Sequence, residues 1–550
     1  MTTIDRRPPA SSPAAEAVPL PPPDAARLFG IRDRERWQAG FFLVLPLLWI
    51  VAYFFPPMNQ DVGVILSVTE RWVNGERLYL DVIDVNPPLV FMLTVLPVMM
   101  AKVLPIGAAE ALMSCVSALA LWSVWASYRL LQILQVVERN TAQLLMLPML
   151  MFALIVFPSE MFAQREHLMA IAAIPYLMQA AARLDGKRVG GGLSFAIAVI
   201  AALGFALKPH FLIVPLAVEG YLLVARGLRA SLLHWVPWLM VAVMAAYALL
   251  AWLLTPAYFS FVLPLVLGAY EDIGGTNYFK IITGRHLAPY LFVLLPLTLA
   301  AFKLRWPHVM RLTAVVGLVA AVAGVAQDKG WPYHLLPTQM CAALMFAWAM
   351  ARTIDLLRHD GVAAAHHAQT VTGLMLLLIY CFSGAARVAF YDQMDYKTSQ
   401  AGQWQRILEK YVTGSSVLVI TPGIYPHFPA MNYVDVKQAS RFVTVWPLQG
   451  AYEGCQPNDP RYHAPEDMTE IEKLFGRMLI EDLARHKPQM VVVDKIPGIP
   501  WCGGKEFDFV EYFTMQPAFA AEWRNYTFIA SYDRYLLYLR RPVVDSDPSP

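Results

Sequence analysis

Twelve apolar segments, most of about 17–25 residues, run through the first 390 residues and leave little choice of fold. They lie at 40–56, 88–104, 109–132, 143–158, 168–183, 191–207, 210–225, 233–254, 287–303, 310–326, 335–352 and 369–389. Segments of that length match the roughly 30 Å of hydrocarbon in a bilayer. Within lipid, a helix is the local structure that satisfies its own backbone. The expectation is an α-helical polytopic membrane protein. Composition supports it, since 57% of the 550 residues are hydrophobic and 15% are charged, too few to cover a soluble chain. The net charge of +2 and the lack of any basic run argue against a nucleic-acid partner.

Charge placement gives an orientation. Residues 1–38 are rich in Pro, Ala and charge and lack the apolar core of a secretory signal, so they read as a disordered cytoplasmic tail. Arg32, Arg34 and Arg36 precede the first apolar segment, and positive-inside bias puts them in the cytoplasm. The Lys- and Arg-containing connections at 183–188, 226–229, 303–306 and 352–360 suit the same side. The loops at 159–167, 255–286 and 327–334, and everything after about 390, then fall outside. Twelve spans cannot connect an inside start to an outside end, so one segment is missed, split or not fully spanning, and the crowded region 88–134 is where the parity stays open. The membrane part is therefore 39–390, with about 11–13 transmembrane helices expected.

From 391 to 541 the pattern changes to charged helices (403–412, 468–486) and short β-rich runs (416–420, 490–494, 526–532, 535–539). That is an α/β domain on the extracytoplasmic side, followed by a frayed tail, 542–550. It has no G-x-G-x-x-G and no P-loop. Cys455 and Cys502 lie in it and are placed to form a disulfide in an oxidising compartment. Cys115, Cys341 and Cys381 sit in apolar segments as buried thiols.

The first external loop holds the most informative residues. Asp61 lies just beyond the first span, and 61–74 can form an amphipathic helix along the membrane surface. Then come GERLYLD, with Asp81, the further Asp84, and a PPL that opens the next apolar segment. A carboxylate at the mouth of a membrane bundle is costly without a use. This pattern resembles the GT-C glycosyltransferases, nearest to the protein O-mannosyltransferases and the lipid A aminoarabinose transferases. The resemblance spans about 40–185 and implies a GT-C-like membrane domain and a polyprenyl-phosphate sugar donor. It also implies that Asp61, at the position of the family's first-loop Asp, is the catalytic base. The alternative for Asp61 is a helix N-cap. Asp81 and Asp84 either orient the acceptor or fix the turn before the prolines.

Further candidates lie in the other external loops. Arg165, Glu166 and His167 stand together at a helix start. The resemblance makes Glu166 a second site carboxylate, and Arg165 could hold a lipid phosphate; a snorkelling interfacial cluster is the alternative. Lys208 and His210 lie at a span boundary, as phosphate ligands or interfacial anchors. Lys329, Tyr333 and His334 crowd one short loop with Trp331, to meet phosphate and sugar or to form an aromatic belt. The loop 255–286, with Gly274, Gly275, Arg285 and His286, is either a substrate gate or a connector. Glu219, inside an apolar span, is expected to pair with a neighbouring helix.

The reading is a membrane glycosyltransferase of the inner membrane with its site facing outward. Asp61 activates an acceptor hydroxyl of a glycan, lipopolysaccharide, lipid or protein, with inversion at the sugar. A divalent metal is compatible with the carboxylates, but no ligand spacing demands one. The rivals are a polysaccharide ligase or polymerase using lipid-diphosphate glycans, and a lipid-linked sugar transporter or flippase.

Overall fold

The computed structural model describes residues 44, 46–141, 145–270, 273–360 and 385–542. The tail 1–38, Cys381, most of the apolar segment 369–389 and residues 543–550 lie outside them.

Behind the first apolar segment comes α1 (Gln60–Val73), whose buried face carries Val62, Ile65, Leu66 and Val68. Its N-cap is Asn59, whose side chain accepts from the Asp61 and Val62 backbone N–H groups. Next are α2 (Leu89–Val103) and α3 (Ala108–Leu134). An apolar helix, α4 (Leu147–Met151), continues as a π-turn through Phe152–Val156. Then follow α5 (Arg165–Leu184), α6 (Gly191–Ala206), α7 (Ile213–Arg226) and α8 (Trp235–Leu254). The short α9 (Leu263–Ala269) precedes α10 (Ala288–Lys303), α11 (His308–Ala326) and α12 (Leu336–Asp360).

Among the described residues four helices are long and apolar enough to cross a membrane: Ala108–Leu134, Pro209–Arg226, Trp235–Leu254 and His308–Ala326. Their packing differs. Nearly every side chain of α5 is buried, so it is the central post of the bundle. By contrast α8 exposes Trp238, Val241, Leu249 and Trp252, the apolar surface that a lipid-facing helix presents. Glu219 of α7 is bonded to Arg183 of α5 at 2.6 Å and to Tyr176 at 2.8 Å, as a carboxylate in an apolar span requires.

The apolar segment 88–104 forms α2, and both its ends meet elements on one side of the bundle. Residue Pro87, just before α2, lines the central cavity, and Lys102 at its other end donates to Asn74 Oδ1 at 2.8 Å. Asn74 is the C-cap of α1, and Arg71 of α1 donates to the Ser440 carbonyl of the C-terminal region at 2.9 Å. Both ends of α2 therefore lie on the side of the C-terminal region. The opposite side is marked by Asp355 of α12, which accepts from the Glu138 N–H and Thr141 just beyond the end of α3.

The C-terminal region is built on a five-stranded sheet: β1 (Ser415–Ile420), β2 (Val436–Gln438), β3 (Met490–Asp494), β4 (Tyr526–Tyr532) and β5 (Tyr535–Arg540). The order is β2-β1-β3-β5-β4, with the first three parallel and the last two antiparallel to their neighbours. Every residue of β3 is buried, which explains its continuous apolar run MVVVD. Of these strands only the short β2 has no counterpart in the sequence reading. The helix Glu470–His486 begins with a capping box between Thr469 and Glu472. Cys455 and Cys502 form a disulfide with Cα atoms 5.6 Å apart.

This region sits directly on the first loop. Ile83 N–H donates to the Arg441 carbonyl at 2.8 Å, and Asn432 donates to the Gly63 carbonyl at 2.9 Å. It also meets the segment read from sequence as a long loop. That segment contains the apolar Tyr258–Ala269, and a Cβ on Gly450 would overlap the Ala269 carbonyl, so the close crossing there requires glycine.

Candidate active site

A cavity of about 1280 Å³ lies where the loops of the bundle meet the C-terminal region. Two helix N-termini converge on it, those of α1 and α5. Asn59 ties them together: its Oδ1 caps α1 and also accepts from Gln164 Nε2 at 2.7 Å, while its Nδ2 donates to the Glu160 carbonyl at 2.9 Å. Helix N-termini favour negative charge, so the sequence has built an anion-attracting corner.

Asp61 stands in the first turn of α1. Because Asn59 is the N-cap, the Asp61 carboxylate is free of that duty. Its Oδ2 accepts from Gln164 Nε2 at 3.0 Å, and its Oδ1 has no hydrogen-bond partner among the described residues. Asp84 also lines the cavity, with Oδ1 accepting from the Asn86 backbone and side chain at 2.8 and 2.7 Å. Burial pushes its carboxyl above the usual carboxylate range. Asp81 is elsewhere: it pairs with Arg77 at 2.8 Å outside the cavity lining, and that partner holds it down at about 2.

The cations divide into engaged and unengaged groups. Lys208 is bonded at 2.5 Å to Glu166, which is fully buried behind the cavity wall, and His334 Nε2 lies 3.9 Å from the same carboxylate. Lys329 donates to the Tyr270 and Ile273 carbonyls at 3.2 and 2.6 Å, which anchors the end of the Tyr258–Ala269 segment. Arg165 is different. It is 6% exposed, lines the cavity and makes no hydrogen bond or close ion pair among the described residues. The carboxylates of Glu166, Asp61 and Asp84 act on it only at longer range. A buried guanidinium without partners is expensive, and an anion in the cavity would satisfy it.

The same architecture recurs among solved structures. ArnT from Cupriavidus metallidurans in its apo state superposes with a TM-score of 0.54 at 12% identity, over 90% of this chain and 97% of that one. The same protein bound to undecaprenyl phosphate gives a TM-score of 0.52 with equal identity and coverage. The chain has the fold of ArnT. No protein-family profile and no curated protein sequence matches the chain.

Within this ArnT fold the cavity gathers Asp61, Asp84, Arg165, Lys208, His210 and Lys329, with Tyr333 and His334 beside them. It leaves out others that the sequence singled out. His167 is fully buried, with Nε2 on the Leu154 carbonyl at 2.7 Å and Nδ1 accepting from the Ala163 N–H at 3.1 Å. Arg285 is bonded to its neighbour His286 at 3.0 Å and is not part of the lining. Among the described residues no three His, Cys, Asp or Glu side chains stand together to hold a metal ion.

Two residues of this corner of the cavity escaped the sequence reading. Asn59 carried a signal, since an Asn just before a helical run is a strong N-cap. Gln164 carried none beyond its place next to Arg165. Trp446 and Gln449, which also line the cavity, come from the C-terminal region and were unreachable by local pattern.

Proposed function

We propose that this chain is a membrane glycosyltransferase that takes a monosaccharide from a polyprenyl-phosphate carrier. The observation that carries the reading is the buried, unpartnered Arg165 guanidinium in one cavity with the free Oδ1 of Asp61. The bound undecaprenyl phosphate in a protein of the same fold supports a lipid-phosphate donor.

In this mechanism Arg165 binds the donor phosphate, aided by the N-terminus of α5. Asp61 Oδ1 accepts the proton of an acceptor hydroxyl. The hydroxyl oxygen attacks the anomeric carbon as the bond from that carbon to the phosphate oxygen breaks. The electron pair leaves on polyprenyl phosphate, whose charge Arg165 stabilises. One displacement inverts the anomeric centre. Lipid phosphate is a good leaving group, so one base and one cation account for the step. Lys208 and Glu166 form the buried frame behind Arg165, and Lys329 positions the loop beside it. The orientation that fits has the N-terminus in the cytoplasm and the C-terminal region outside the inner membrane.

Transfer from radiolabelled polyprenyl-phosphate sugars in membranes carrying wild type or Asp61→Asn tests this reading. The variant is expected to retain donor binding and lose about 10²–10⁴-fold in kcat, the range of general-base contributions. Unchanged transfer by Asp61→Asn removes Asp61 from the base role. Consumption of lipid-diphosphate glycans instead points to a ligase or polymerase, and lipid translocation without transfer points to a flippase.

A further inference from the structure

The C-terminal region contributes a wall to the cavity, and its chemistry differs from that of the bundle. The parallel strands β1 and β2 direct their following loops toward the cavity, the end at which open α/β sheets bind ligands. From these loops come Tyr425 and Thr444, and from the short helix Trp446–Ala451 that follows the second come Trp446 and Gln449. All four are uncharged. The Tyr425 hydroxyl, Thr444 Oγ1, Trp446 Nε1 and the Gln449 amide have no hydrogen-bond partner among the described residues. The Tyr425 side chain is 42% exposed. Mixed donors and acceptors beside aromatic rings suit a ligand rich in hydroxyl groups with apolar C–H faces.

Charge narrows the ligand further. Three Lys or Arg side chains line the cavity, Arg165, Lys208 and Lys329, and none comes from the C-terminal region. Lys208 is engaged by Glu166 and Lys329 by backbone carbonyls, which leaves Arg165 for one phosphate. The donor takes it. The remaining Asp, Glu, Lys and Arg side chains of the lining, Glu160, Asp328, Asp392 and Asp395 with Asp61 and Asp84, are all acidic. A phosphorylated acceptor would enter past carboxylates with no cation to receive it.

We infer that the wall formed by Tyr425, Thr444, Trp446 and Gln449 is the acceptor subsite and that the acceptor is an uncharged glycan. The inference rests on the glycosyl-transfer reading above and names the substrate class for the second half of the site. Sugar rings stack on Tyr425, while Gln449 and Thr444 hold hydroxyl groups so that one of them reaches Asp61.

The test supplies full-length protein in membranes with labelled polyprenyl-phosphate sugar and matched acceptors: neutral oligosaccharides, the same oligosaccharides bearing a phosphate monoester, and Ser/Thr peptides. The neutral acceptors are expected to win by about tenfold or more in kcat/KM over their phosphorylated partners. Gln449→Ala and Tyr425→Ala are expected to raise the acceptor KM at least about fivefold with the donor KM unchanged. A better phosphorylated or peptide acceptor overturns the inference. So does donor hydrolysis with no acceptor of the panel used, or an acceptor KM unmoved in both variants; in those cases the donor reading stands. No donor turnover with any acceptor or with water overturns both.

Discussion

At the scale of single residues, the site turns on which polar groups are already engaged. Asn59 caps α1 and so releases Asp61, and Gln164 holds Asp61 by one oxygen while the other faces the cavity. Gln164 touches the proposed base and is 1% exposed, which makes it a positioning residue. A hydrogen bond to a charged group contributes about 1.5–3 kcal/mol, so Gln164→Ala is expected to lower kcat about tenfold or more with the donor KM unchanged. No loss in Gln164→Ala would show that the Asp61 rotamer is held by packing alone, whereas partial rescue by Gln164→Asn, which keeps an amide donor, supports the hydrogen bond. Glu166 and Lys208 are poorer places to begin. Breaking a buried pair costs about 3–5 kcal/mol, so a lost activity there would mix folding with chemistry. The same accounting separates Asp81 from Asp84: they are three positions apart, yet one is an ion-paired turn residue and the other a buried cavity carboxyl.

At the scale of elements, hydropathy located the helices well but did not fix the part each of them plays. The segment 88–104 has the length and apolar character of a span because α2 is apolar on its buried face and also exposes Leu93, Leu96 and Met99 on the other. Its partner decides its direction, and that partner is α1 on the side of the C-terminal region. A membrane-impermeant maleimide is expected to label Lys102→Cys from the same face as Lys495→Cys in the C-terminal region. Labelling of Lys102→Cys only after permeabilisation would restore 88–104 as a span. In 255–286 a helical apolar stretch, Tyr258–Ala269, reads as part of a loop because it is too short to cross.

At the scale of the whole molecule, the cavity exists because a soluble α/β region is docked on a membrane bundle. Ile83 meets that region through a backbone hydrogen bond, and Gly63 and Arg71 through side-chain-to-carbonyl bonds, so the first loop and the sheet are held as one unit. The Cys455–Cys502 disulfide closes a segment with a sequence separation of 47 within it. In the chain-entropy account a loop of that size is stabilised by about 4 kcal/mol. Reduction, or Cys502→Ser, is therefore expected to lower the thermal unfolding midpoint of the purified protein in detergent. An unchanged midpoint would mean that the bond does not constrain the unfolded chain.

The amino-acid sequence by itself determined the material and the local order. Long apolar segments force helices, period-two and continuous apolar runs mark β1, β3, β4 and β5, and the polar loops hold Asp61, Arg165, Lys208 and Lys329 where the chain leaves the bundle. These are properties of neighbours along the chain, and hydrophobic period and length report them directly. Tertiary structure alone decided which charges pair. Lys208 meets Glu166 from 42 residues away, and Lys329 meets the Tyr270 carbonyl from 59 away, so Arg165 is left unpartnered by contacts that no local pattern encodes. It also brought Trp446 and Gln449 to the cavity that holds Asp61. In a medium that penalises every unpaired polar group, the identity of the unpaired one is set by the packing of the whole chain, and it is there that function resides.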